Sequence, residues 1–254
     1  MTLPASGTIT MSQILAELQV ANSGRTTPIS LNDADVRSLA GVASGAIQMS
    51  NFYGKSSFTT SLRTYTSGSG SDTIPAGANT CLIEVYGPSG GSGGSPSSSA
   101  YGSGSSASGA RSYITVTVTG HAGQTINYVA GTPGSGGTYT SSTATNGTNG
   151  TTSSSVSSGS FTLSTITVNS SGSGAAATLA YGGGGGAANT GMGGSTNTPG
   201  TNGNAGDTSG GGAAVSAPTS VVPGGLTGGN GVPGVAGGNG VSGNTGCINF
   251  YYSH

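Results

Sequence analysis

The sequence predicts a small α+β N-terminal module, residues 1–57, followed by a mainly-β domain with bundled polyglycine II-type helices, residues 58–254. Little α-helix is expected beyond residue 57. Three observations carry this prediction. Gly (52), Ser (43) and Thr (35) together fill more than half of the 254 positions. Glycine recurs at every third position in long runs, and short alternating apolar segments punctuate the glycine-rich stretches.

The first 57 residues hold six of the eleven charges: Glu17, Arg25, Asp33, Asp35, Arg37 and Lys55. Met11, Ile14, Leu15 and Leu18 have helical spacing, and Ser12 or Thr10 can cap that helix. A second helix is expected over Asp33 to Leu39, capped by Asn32 or Ser30 and stopped by Gly41, with Asp33 and Asp35 near its positive end. Around these helices lies an internal repeat. Ser6-Gly7-Thr8-Ile9-Thr10-Met11-Ser12-Gln13-Ile14 returns 38 residues later as Ser44-Gly45-Ala46-Ile47-Gln48-Met49-Ser50-Asn51-Phe52, with five identities in nine positions. Alternating Ile and Met share one face of an extended segment, and the Ser then starts a turn or helix.

From Phe58 onward the strand-like runs are Phe58–Tyr65, Thr80–Tyr86, Ser112–Thr119, Thr125–Val129, Phe161–Val168, Ala175–Tyr181 and Cys247–Tyr252. Cys81, Ile83 and Val85 form one apolar stripe; Ile114, Val116 and Val118 form another; Ile248, Phe250 and Tyr252 form a third. Such alternation marks half-buried strands. Between the runs, Gly225, Gly228, Gly231, Gly234, Gly237, Gly240, Gly243 and Gly246 keep an unbroken three-residue step. Gly191, Gly194, Gly200, Gly203, Gly206 and Gly212 keep the same step, missing only at Asn197 and Ser209. A three-residue period is that of a left-handed extended helix, whose glycine ridge lets neighbouring backbones approach. Collagen shares the period but needs many prolines, and the eight triplets carry only Pro233. Ordering so much glycine costs backbone entropy, so the stretches must be either densely hydrogen-bonded or disordered.

Composition excludes several functions. Charged residues are 4% of the chain, against about 25% in an ordinary domain, and net charge is −1. Five dispersed Lys and Arg make no nucleic-acid surface. No apolar run is long enough for membrane insertion. His121 and His254 are the only imidazoles, and beyond Arg111 the one side-chain carboxylate is Asp207, so no acid/base pair and no catalytic residue is expected. Gly54-Lys55-Ser56 lacks the first glycine of a phosphate loop, and Gly90-Gly91-Ser92-Gly93-Gly94 has no accompanying triad. Neither a metal site nor a cofactor is expected. Cys81 and Cys247, in the first and last strands of the glycine-rich domain, are read as two buried thiols, with a single disulfide as the alternative.

Two segments resemble known families. Ile29 to Gly41 with Ser44 to Lys55 resembles an N-terminal module of bacteriophage tail and other virion proteins. Thr73-Ile74-Pro75-Ala76-Gly77-Ala78 with Leu82-Ile83-Glu84-Val85-Tyr86-Gly87 resembles the opening of a glycine-rich domain common in phage tail fibres; Asp72 and Thr73 stand where that domain usually has an aromatic. The resemblance implies a non-enzymatic tail-fibre or tip protein of the virion, assembled in the host cytoplasm. Residues 1–57 would contact other tail or virion proteins, with Ile9, Met11, Ile47, Met49, Phe52 and Tyr53 as attachment candidates. Loops between glycine helices would meet a bacterial receptor, a glycan or an outer-membrane protein. The resemblance also implies a homotrimer, usual for fibres, although glycine-bundle tips can be single chains.

The loops that break the triplet phase, roughly 95–110, 138–160, 187–199 and 213–223, supply the binding candidates Tyr101, Tyr139, Asn146, Asn149, Asn189 and Asn197. The alternative is a capsid-decoration or tail-assembly protein without receptor binding. An ice-binding array is disfavoured, because the residues between the glycines of 225–246 are irregular.

Overall fold

A computed structural model describes residues 3–21, 25–26, 28–178 and 181–254. Two helices, α1 (Met11–Ala21) and α2 (Ala34–Ala40), precede ten strands: β1 (Ser61–Tyr65), β2 (Ser69–Thr73), β3 (Thr80–Tyr86), β4 (Arg111–Thr117), β5 (Thr125–Val129), β6 (Ser154–Ser158), β7 (Ile166–Val168), β8 (Gly191–Met192), β9 (Thr196–Thr198) and β10 (Cys247–Ser253). The chain is mostly β, as its composition and alternation predict.

The repeat in residues 3–57 is built the same way twice. Gly7 and Gly45 both adopt positive φ, 91° and 85°, where a side chain would be strained. An Ile outside regular structure stands two residues after each, Ile9 and Ile47. The next residue then starts a helix with a reciprocal cap: Thr10 with Gln13 before α1, and Gln48 with Asn51 before a 3₁₀ turn at Met49–Phe52. The two copies meet where Tyr53 Oη donates to Gly7 O at 2.6 Å. Leu3, Ile9, Ile14, Leu18, Val36 and Phe52 fill a core of their own. At α2 the capping expectation needs correction. Asp33 occupies the N-cap, while its carboxylate accepts the Ser30 N–H and pairs with Arg25. Gly41 ends the helix in the left-handed conformation, as expected.

The strands form two antiparallel five-stranded sheets, ordered β1-β10-β3-β4-β9 and β2-β5-β6-β7-β8. Cys81, Ile83 and Val85 of β3 and Ile248, Phe250 and Tyr252 of β10 meet Ile126, Val156, Ile166 and Val168 of the second sheet in one core. Four of the strands escape the sequence pattern: β2, β6, β8 and β9 are made of Ser, Thr, Gly, Asn, Asp and Met with a single Val. The expected strand Ala175–Tyr181 is not one. Its described part continues a glycine-rich segment, in which Ala175 N–H donates to Gly184 O, while residues 179 and 180 lie outside the described residues.

The outer face of the first sheet carries a buried polar clamp. Glu84, fully buried, accepts from Ser220 Oγ (2.5 Å), Val221 N–H (2.9 Å) and Asn249 Nδ2 (2.9 Å), with Arg111 3.8 Å away. Asn249 Nδ2 also donates to Leu226 O at 2.8 Å, so residues 218–226 are strapped across the sheet. Asp72 plays the matching part within the core, accepting from Arg63, Tyr65 Oη and Tyr252 Oη.

The two cysteines are free and buried. Cys81 pairs with Tyr252 and Cys247 with Tyr86, so they stand five residues apart along one strand pair, roughly 17 Å. They also face opposite sides of the sheet, Cys81 in the main core and Cys247 beside Tyr86 and Ala217. A disulfide needs Cα atoms within about 7 Å, which excludes the bridged alternative.

Candidate functional site

Each long connection between strands leaves the sheets at the same end, runs outward as an extended glycine-rich segment, turns and comes back. Segment 87–95 extends β3, and 102–109 returns into β4. These two lie at the centre, and every residue of 86–96 and 102–110 is buried. Around them run 131–138, 145–150, 170–178, 182–189, 200–207, 210–217, 228–235 and 238–246.

Backbone bonds between the segments recur in steps of three. Ser89, Ser92 and Ser95 N–H donate to Asn244, Val241 and Gly238 O; Gly102, Ser105 and Ser108 N–H donate to Asp207, Asn204 and Thr201 O. Segment 102–109 bonds to six neighbours, at 93, 172–175, 183–186, 201–207, 212 and 229–235. Burial keeps the same step, as at Gly131, Gly134 and Gly137, and at Ser171, Gly174 and Ala177. The unbroken glycine phase of 225–246 does not run along one straight segment. It reverses at Gly237 (φ 63°), with 229–235 antiparallel to 103–109 and 238–244 antiparallel to 89–95.

Serine supplies what glycine cannot. Six buried serines on the two central segments accept a backbone N–H from the residue whose carbonyl they bond. These are Ser89 with Asn244, Ser92 with Val241, Ser103 with Val235, Ser105 with Asn204, Ser106 with Val232 and Ser108 with Thr201, at 2.7–2.9 Å. Asparagine does the same farther out. The side-chain carbonyls of Asn146, Asn149, Asn202 and Asn230 accept the N–H groups of Ala176, Ser173, Ala188 and Ala217, at 2.8–2.9 Å.

The outward turns therefore gather at one distal end: 96–101, 139–144, the turn closed by Thr178 and Tyr181, 207–210 and 236–237. They are tied to one another. Ser98 Oγ donates to Ser141 O, Ser99 Oγ to Thr178 O at 2.7 Å, and Tyr139 N–H to Asn239 Oδ1 at 3.1 Å. Between the first three turns opens a cleft of about 700 Å³, lined by Pro96, Ser142, Thr143, Ala144, Asn146, Ala176, Ala177, Thr178 and Tyr181. None of these residues is charged. Asp207, on a neighbouring turn, is held below the usual carboxylate range by the hydroxyl and the N–H of Ser209.

Residues 3–57 sit at the opposite end. Val20 of α1 packs against Gly77, just before β3, and Val20 shares a second cleft of about 690 Å³ with Thr80, Thr117 and His254.

Of the binding candidates, Tyr101 and Tyr139 lie on distal turns, Tyr139 41% exposed. Asn146 lines the cleft while bonding Ala176, and Asn149 lies farther down the same segment. Asn189 and Asn197 lie at the sheet end, where Asn189 Nδ2 donates to Ser170 O and Asn197 Oδ1 accepts from Ser112 Oγ. The structure does not bring these two near the turns. Of the attachment candidates, Ile9 and Phe52 are buried, Met11, Ile47 and Met49 pack partly buried against that core, and Tyr53 is exposed. The sequence reading missed Tyr181, 75% exposed and the most exposed large side chain of the cleft. Its signal was Thr178 three residues earlier: Tyr181 N–H donates to Thr178 Oγ1, as Thr143 N–H does to Thr140 Oγ1 one turn away.

Among the described residues no helix is long and apolar enough to cross a membrane, and no His, Cys, Asp and Glu cluster could hold a metal ion. Neither a scan against models of known protein families nor a search of curated proteins returns a match to this chain.

Proposed function

We propose that this chain is a non-enzymatic phage virion protein of the tail-fibre or tip type, which recognises the host surface through its distal turns. One observation carries the reading. Five separate turns converge on the end opposite the N-terminal core, and the first three are tied together there by hydrogen bonds, with aromatic rings exposed among them. Recognition residues held on a rigid scaffold, away from an anchoring module, is the arrangement a surface-binding protein needs.

The finer architecture belongs to the same proposal. The glycine-rich segments are polyglycine II-type helices, a reading supported by the three-residue step of bonding and burial and by six neighbours around one segment. Residues 1–57 attach the protein to other tail or virion proteins, with Tyr53 the attachment candidate best placed for contact. Two free cysteines are compatible with assembly in a reducing host cytoplasm.

Labelled full-length protein incubated with a panel of bacterial strains tests the reading. Saturable binding to particular strains is expected. Binding to none would favour a structural virion protein whose glycine-rich half only covers the particle.

A further inference from the structure

Resting on the adhesin reading above, we propose that the cleft between the first three distal turns takes an uncharged glycan, with the Tyr181 ring as its stacking platform. Three features of the cleft point to this ligand class.

The first is charge. No lining residue carries a charge at neutral pH, and the remaining distal turns contribute Asp207 alone. A uronate, sialate or phosphate entering the cleft would lose hydration without gaining a counter-charge, and burying an unpaired charge is costly.

The second is the pattern of the lining. The Tyr181 ring and the methyl groups of Ala144 and Ala176 offer apolar surface, over the buried Pro96 and Ala177. Ser142, Thr143 and Thr178 set hydroxyls beside it. A pyranose has apolar C–H faces and a rim of hydroxyls, so it matches both parts. An aromatic ring that is 75% exposed in a chain with four Phe and no Trp keeps a large apolar area in water, and a sugar face would cover it.

The third is shape and rigidity. A cleft of about 700 Å³ falls within the usual range for small-ligand sites, about 300–1,000 Å³. A folded protein partner instead needs about 800 Å² from each side. The cleft walls are pre-ordered: Asn146 is bonded to Ala176, Ser98 to Ser141 and Ser99 to Thr178, so little side-chain entropy is lost on binding.

The test uses the full-length protein, Tyr181→Ala and Tyr181→Phe. Each is applied to an array of neutral and acidic oligosaccharides, and to a bound bacterial strain treated with periodate or with protease. The expected result is retention on neutral glycans and cell binding that periodate abolishes and protease spares. Tyr181→Ala should weaken it at least about tenfold. Tyr181→Phe, which keeps the ring, should stay within about threefold of the parent. Raising salt from about 0.05 to 0.5 M should change little, because no ion pair is involved. Cell binding that is protease-sensitive and periodate-resistant would overturn the glycan assignment and leave a protein-directed adhesin. Retention on acidic glycans alone, or periodate-sensitive binding untouched by Tyr181→Ala, would overturn the cleft. Binding to no strain and no glycan would remove both the cleft proposal and the adhesin reading beneath it.

Discussion

Gly104 and Gly184 face each other across two packed segments, yet they tolerate change very differently. A methyl group on Gly104 would collide with Gly184 O, whereas one on Gly184 would meet nothing within 4 Å. Neither has positive φ, so backbone proximity decides the difference. Gly104→Ala is expected to destabilise by about 1–3 kcal/mol or more, because a carbonyl cannot swing aside as a side chain can. Gly184→Ala should be neutral or stabilising by up to about 1 kcal/mol through the unfolded chain. Denaturant titration of the two variants measures both. Ser106→Ala leaves the buried Val232 N–H without its acceptor, and the same titration should show a loss of about 1–3 kcal/mol. Burial pushes the Cys247 thiol from its ordinary 9.0 up to about 12. The folded state therefore holds a proton that the unfolded state releases. Stability is unaffected by this group below pH 9 and falls between pH 9 and about 12, by up to about 1.4 kcal/mol per pH unit. Urea titrations across that range should lose this slope in Cys247→Ala. The glycine phase was legible residue by residue, but which glycines are contacts was not, since Gly104 and Gly184 look alike in sequence.

At the scale of elements, strands announced by alternating Ile, Val and Phe were readable, and β3 and β5 have the expected bounds. β6 was not, because Ser154-Ser155-Val156-Ser157-Ser158 buries one apolar side chain and gets its partners from β5 and β7. The strap at 218–226 was equally hidden, since nothing local shows that Ser220 and Val221 meet Glu84, 136 and 137 residues away. Glu84→Ala would leave Arg111, 11% exposed, without its counter-charge, and breaking a buried pair on one side costs about 3–5 kcal/mol. The expected outcome is a fall of that size in unfolding free energy together with new proteolytic cleavage within 218–226. The glycine-rich segments make their own prediction. Amides of Ser92, Ser103 and Ser106 are buried and bonded, so hydrogen exchange should find them protected as strongly as those of β3, despite a composition typical of linkers. Exchange at the unprotected rate of a disordered chain would contradict the packing.

Over the whole molecule, the order is an N-terminal core, two stacked sheets, a lattice of glycine-rich segments and a ring of turns. Serial position hides this order. The turns at 96–101 and 236–237 are far apart in sequence and adjacent in space, joined by the paired Ser95 and Gly238. Loops at 187–199 and 213–223 looked equivalent to them because composition does not reveal which end of a segment a loop closes. That is why, of the candidates taken from sequence, Tyr101 and Tyr139 lie on the distal turns while Asn189 and Asn197 lie at the sheet end, and why Tyr181 was not among them. The central proposal, that the distal turns recognise the cell, is tested most directly by comparing strain binding of full-length protein with Tyr139→Ala/Tyr181→Ala and with Met192→Ala. Met192 is a sheet-end control, 58% exposed. Binding lost in the distal pair and kept in the control is the predicted result. Equal binding by all three would place recognition elsewhere on the molecule and contradict the account.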